Sequence, residues 1–289
     1  MKVVPENAQR TILLETGEID VAYEVLPNDL ARIQDNKNLS ALKELSFKTI
    51  SMEFNNASKG PLSNKLVRKA IEYAIDKQLI VDTILNGVGA PASTSVAPKL
   101  FGYNDKLTAN KYDMEKAKAF LAEAGYPNGF DMNLWTDDSQ TNVEICQVIQ
   151  SQLAELGIKV NIEIMEYGTL LSKVKDVKDE NYDAVVKFFN TITGDGGFTL
   201  YNSFYSTSAS NDIGYNNPEV DKQLMIGRTT LDSNKRIEAY NKVYEILQED
   251  VPSVAIYYEE MIVGTNKKVE GFVLNKAGYH KYKDVKVYK

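Results

Sequence analysis

The stretch TGDGGF (193–198) sets one carboxylate, Asp195, among glycines and beside an aromatic residue. Glycine lets a backbone take positive φ and approach another surface closely, so the stretch is a loop with a purpose. It lacks the Lys and Ser/Thr that complete a phosphate-cradling P-loop. G-x-G-x-x-G and the alternating oxygen ligands of an EF-hand are also missing. Two readings stay open. Gly194, Asp195 and Gly196 form the lip of a crevice, or Asp195 caps a helix after an ordinary tight turn. A second acidic place is WTDDSQ (135–140). Taken singly, Asp137 or Asp138 reads as the acidic first turn of a helix, favourable to its dipole. Trp135, Phe188 and Phe189 have faces that can stack on a ligand, although aromatics on strands are mostly core. Together, Asp137 and Asp195 leave a two-carboxylate glycosidase as the enzymatic alternative. A lobe that binds a protein partner is a further one, marked by a large exposed apolar patch.

Transition metals need clustered His, Cys and carboxylate ligands. Cys146 and His280 are the only soft candidates and stand far apart in sequence, so neither a metal site nor a cofactor is expected. Cys146 lies on the apolar face of its helix and reads as a packed thiol. His280, in a tyrosine-rich tail, reads as a surface residue. With one histidine and no G-x-S-x-G, a serine or cysteine nucleophile lacks its usual base.

These residues need elements to position them. The pattern predicts a helix over 7–17, a strand over 19–25, a helix from Pro27, and an alternating strand over 46–55. Leu66, Val67, Ala70, Ile71, Ala74, Ile75, Leu79 and Ile80 form one stripe of a 3.6-residue period. They predict a single core helix from Ser63 or Asn64 to Gly87. Asp113 opens a helix over 114–125, closed by Gly125 and Pro127. Strand 130–136, helix 143–157 and strand 158–165 make a βαβ unit with a parallel pair. A short helix over 167–176 and a strand over 182–190 lead directly into TGDGGF. Helices over 199–206, 218–229 and 234–249 follow, and 252–275 reads as strand-rich. The fold class is α/β, with strand-dominated termini (1–53 and 266–289) around a helix-rich middle lobe.

The 289 residues suffice for one large domain or two ordinary ones. A hydrophobic fraction of 43% and a charged fraction of 25% belong to a folded protein. The net charge of −7, with no Lys/Arg cluster among aromatics, disfavours nucleic acid as a partner. No apolar run approaches the ~20 residues of a membrane span. The opening MKVVPENAQR has no apolar core, so no signal segment is expected within it. The 17 tyrosines suit a sugar- or peptide-lined cleft.

Four segments, in order, resemble the family 5 extracellular solute-binding proteins, the peptide- and nickel-binding subunits of ABC importers. They are EFNNASKGPLSNKLVRKAIEYAIDKQLIVDTILNGVGAPA (53–92), KYDMEKAKAFLAEAGYPNGF (111–130), NYDAVV…TGDGGF…NNPEVDKQL (181–224) and KVYEILQEDVPSVAIYY (242–258). The opening RTILLETGEIDVAYEV resembles that family's mid-chain segment, which implies a carboxy-terminal portion. The resemblance implies a type II periplasmic-binding-protein-like fold. In it, 1–53 is the remainder of a first lobe, 54–265 a cleft-forming second lobe, and 266–289 a return to the first.

It implies a non-enzymatic, monomeric, extracytoplasmic protein, lipoprotein-anchored or periplasmic. Such a protein captures a small solute, an oligopeptide or a nickel or other metal chelate, and delivers it to membrane permeases. The expected cleft lip is Asn190, Thr191, Gly194, Asp195, Gly196 and Phe198, with Trp135, Asp137 and Asp138 facing them. Peptide-binding members place an aspartate slightly upstream of this loop, where Asn190 to Thr193 stand here. Dipeptide-binding members place an arginine after the FDMNLW-type strand, where this chain reads TDDSQTN. An acidic wall favours a cationic or amine-bearing solute, or a chelated metal, over simple dipeptide recognition.

Overall fold

The computed structural model describes residues 2–176 and 181–288. In chain order its elements are α1 (Asn7–Glu15), β1 (Val21–Ala22), α2 (Leu30–Asp35), β2 (Leu39–Phe54), α3 (Lys65–Ala74), α4 (Lys77–Thr83), β3 (Ala90–Pro91), α5 (Met114–Glu123), β4 (Asp131–Asp137), α6 (Gln140–Ala154), β5 (Lys159–Met165), α7 (Tyr167–Lys173), β6 (Ala184–Asn190), α8 (Gly196–Phe204), α9 (Pro218–Thr229), α10 (Ser233–Asp250), β7 (Ser253–Asn266), β8 (Val269–Glu270) and β9 (Lys286–Val287). The class is α/β. One sheet runs β1-β7-β2-β6-β4-β5, with β3 beside β7.

Local chemistry accounts for many of the boundaries. Asn64 caps α3 by accepting from the Leu66 N–H, and Asp113 caps α5 by accepting from Lys116. Asn217 caps α9, whose first position is Pro218, which has no N–H to leave unpaired. The βαβ unit forms as the pattern predicts: β4 and β5 pair in parallel from Asp131↔Lys159 to Asp137↔Met165, joined by α6. On its other side β4 runs parallel to β6.

Five expectations differ. The single helix over 63–87 is two helices, because Ile75 is extended and Asp76 begins a new N-cap by accepting from the Leu79 N–H. Ile75 and Ile80 stay buried across this break, whereas Leu79 turns out to solvent. The helix expected over 199–206 starts earlier, at Gly196, capped by Asp195. The strand expected over 19–25 shrinks to β1, while that expected over 46–55 extends back to Leu39. The tail beyond Asn266 holds only the two-residue strands β8 and β9.

The largest core packs α3, α5 and α6 on one sheet face, through Ile71, Ile149, Leu153, Met52, Leu134, Val186 and Ile256. A second core joins α8, α9 and α10 through Leu200, Leu224, Tyr240 and Val243. A third, small core holds Leu14, Ala22, Ile33, Leu39 and Ile262. The antiparallel strands β2 and β7 run from the third core into the other two, their pairing shifting register between Leu45 and Thr49 and between Ile50 and Ser51. Packing partners change between Ala41 and Leu45 on β2 and between Tyr258 and Ile262 on β7.

Candidate functional site

A cavity of about 670 Å³ opens between the first and third cores. Its floor is a flaw in the β2/β7 ladder. Between the pairs Leu45↔Glu260 and Thr49↔Tyr258, β2 advances further than β7 and leaves the register. A bulge of this kind re-aims side chains. Here Ser46 and Lys48 both line the cavity. The Ser46 hydroxyl donates to Glu259 Oε2 at 2.7 Å, and Lys48 Nζ reaches Glu259 Oε1 at 3.3 Å. Lys48 also lies over the Phe188 ring, 5.0 Å from its centroid. The bulge is stitched in place by backbone bonds, Phe47 N–H to the Lys276 carbonyl at 2.8 Å and Thr191 N–H to the Phe47 carbonyl at 3.0 Å.

One wall is the carboxyl end of β4 and the first turn of α6. Asp137 lines the cavity with 4% of its surface exposed. Its Oδ1 accepts from the Ser139 N–H at 3.0 Å, and the Asn142 side-chain amide donates to both oxygens at 3.1 Å. Burial raises the Asp137 carboxyl, the bonds from Ser139 and Asn142 oppose that, and the neighbouring Asp138 adds to it. Burial also raises the Tyr257 phenol, helped by the charges of Glu259 and Asp137. Tyr167 stacks on Phe188 with centroids 5.6 Å apart.

The facing wall is aromatic. Tyr23 and His280 stack in parallel, 4.9 Å between centroids. His280 Nδ1 accepts from the Asn275 N–H at 3.1 Å, and burial lowers the imidazole. The reading of His280 as a surface residue is therefore corrected: the tail folds back and places it on the cavity. The cations of the lining are engaged with protein carboxylates, Lys48 with Glu259 and Lys276 with Glu44.

TGDGGF sits elsewhere. Asp195 Oδ1 accepts from the Gly197 N–H at 2.9 Å, and Oδ2 pairs with Arg236 of α10. The glycines are filled spaces rather than open ones. A Cβ on Gly197 would meet the Tyr240 hydroxyl, and one on Gly196 would lie 2.6 Å from Val96 and 3.0 Å from the Phe101 carbonyl. Only Gly194, at φ +75°, has open space around it.

The other expected residues scatter. Trp135 is buried on the far face of the sheet, stacked on Tyr182 at 4.6 Å. Asp138 is exposed. Asn190 donates to the Ala277 carbonyl at 3.2 Å, behind the wall formed by 276–278. The Thr191 hydroxyl meets that of Thr199, and Phe198 tilts against Phe189. Of the nine residues, Asp137 lines the cavity. Tyr23, Ser46, Lys48, Glu259 and His280 were not legible as a set, because they come from segments more than 200 positions apart. Cys146, buried and with its thiol pushed up to about 12 by burial, is a packed residue. Among the described residues no cluster of three metal-ligating side chains occurs, and no helix is long and apolar enough to cross a membrane.

Residues 1–211 match the family described as bacterial extracellular solute-binding proteins, family 5 Middle. The dipeptide-binding protein of Escherichia coli K12 is 28% identical over 99% of this chain and 54% of its own length. The glutathione-binding protein GsiB of Salmonella choleraesuis is 30% identical over 93% of this chain, again 54% of its own length. The Helicobacter pylori periplasmic binding protein DppA, solved with the peptide STSA, superposes with a TM-score of 0.90 at 26% identity, covering 100% of this chain and 56% of that one. NikA of Staphylococcus aureus, solved with Ni(L-His)2, gives 0.84 at 28% identity, covering 97% and 60%. The chain thus spans about half the length of the curated relatives it matches.

Proposed function

Since the chain belongs to the family 5 bacterial extracellular solute-binding proteins, we propose that it works within the solute-binding subunit of an ABC importer. That subunit captures an oligopeptide or a metal chelate between two lobes and delivers it to membrane permeases outside the cytoplasm. The observation that carries this reading is the cavity. It is walled by the β4–α6 turn on one side and by the Tyr23 and His280 segments on the other, with β2 and β7 as floor. Residues 1–53 and 266–289 then belong to the first lobe and 54–265 to the second. The outermost residues, 1 and 289, lie outside the described residues. The switch of packing partners supports a border inside these strands, between Ala41 and Leu45 on β2 and between Tyr258 and Ile262 on β7, earlier in the chain than the expected bound on each. Closure of the lobes would bend there. The subunit acts as a monomer, with no cofactor.

The glycosidase alternative asks for two carboxylates across one bond. Asp137 lines the cavity, whereas Asp195 is held by Gly197 and Arg236 away from it, so the pair does not assemble. Native mass spectrometry of the protein purified from its host tests the reading. The expected result is a small-molecule adduct, released on denaturation and exchangeable for added peptide or chelate. Protein that arrives empty and takes up neither would overturn it.

A further inference from the structure

Building on that reading, we propose that Asp137, with the ring of Tyr257, forms a subsite for an ammonium group of the solute. Both residues line the same cavity. Asp137 is almost fully buried, and the groups that act most on its charge are neutral donors, Ser139 and Asn142, and another acid, Asp138. Its hydrogen bonds satisfy oxygen lone pairs without cancelling the negative charge.

The balance of the walls points the same way. Glu24, Asp137, Glu259 and Glu260 line the cavity, against Lys48 and Lys276. Lys48 and Lys276 are paired with Glu259 and Glu44, Glu260 with Lys43, and Glu24 with Arg10. Among these carboxylates Asp137 is the one without a cationic partner among the described residues. Its field reaches the Tyr257 phenol, whereas the Phe188 ring is already engaged by Lys48 and Tyr167. A carboxylate beside an aromatic ring suits an alkylammonium, which gains from both charge and ring quadrupole. A carboxylate-bearing group would meet Asp137 at the cost of like-charge repulsion.

The test uses tripeptides Ala-X-Ala, acetylated and amidated at their ends so that X carries the only charge. X is lysine, Nε-acetyl-lysine or glutamate, and binding to the chain is read by NMR at the side-chain amide of Asn142, which touches Asp137. The expected result is at least tenfold tighter binding of the lysine peptide than of the other two. Asp137→Asn should abolish that preference and leave the acetyl-lysine peptide unchanged. Equal affinity for all three peptides overturns the subsite while leaving solute capture standing. A lysine preference that survives Asp137→Asn overturns it as well, as does an Asn142 signal that none of the peptides moves. Failure of solute capture itself shows separately, as protein that is empty when isolated from its host.

Discussion

At the residue scale, Asp195 shows how a loop that looks functional in sequence can be occupied by structure. Its carboxylate caps α8 and pairs with Arg236, both partly exposed. Losing such a cap costs about 1 kcal/mol, and a half-exposed ion pair adds about 0–1 kcal/mol. Asp195→Ala should therefore lower the unfolding free energy by that sum, seen as a lower denaturation midpoint, with solute affinity unchanged. Calorimetry showing weaker binding at wild-type stability would return Asp195 to the cleft. The glycines were visible in sequence, but the Tyr240 ring that fills the space beside Gly197 comes from a helix more than 40 positions away. His280 supplies a pH prediction. Burial lowers its pKa from the ordinary 6.5, and its Nδ1 must stay unprotonated to accept from Asn275. The unfolded chain then takes the proton first, so stability is fully present above about pH 6.5 and declines as pH falls from there to the folded value. Urea midpoints at pH 7.5 and 5.5 should differ more for the wild type than for His280→Gln. Equal differences would remove His280 from that account.

Among the elements, legibility followed how local the cause was. Helix N-caps and the βαβ period are encoded in nearby residues, so α9 and the β4–α6–β5 unit appear where the pattern places them. The α3 stripe is also genuine: Ile71 is fully buried in the main core. Ile71→Ala should cost about 2–5 kcal/mol, as a large-to-small change in a packed core does. An unchanged guanidinium midpoint would mean that the neighbours close the gap or that the face was misassigned. The break after Ala74 was hidden because the apolar period continues through it, while Asp76 restarts the backbone hydrogen bonds. The first half of β2 was hidden for the opposite reason. Ala41, Leu42, Lys43 and Glu44 favour helix intrinsically, yet their partners on β7, Gly264 to Met261, hold them extended. Pairing across more than 200 residues outweighs a few tenths of a kcal/mol per residue of local preference. The cavity depends on the same distant pairing, which is why one of its lining acids was foreseen and its floor was not.

For the molecule as a whole, the two long strands do more than connect. A pair of paired strands that passes from one core into the next cannot swivel freely as a flexible linker does, because turning it means deforming a ladder of hydrogen bonds. Deformation concentrates where that ladder is already interrupted, between Leu45 and Thr49, and this is where Ser46 and Lys48 face the cavity. The ribbon therefore behaves as a folded sheet of card with its crease at the binding site. Under the proposed capture between two lobes, a solute that drew on Lys48 would pull on the crease itself, and the grip on the cargo and the angle between the lobes would both be set at Ser46, Phe47 and Lys48.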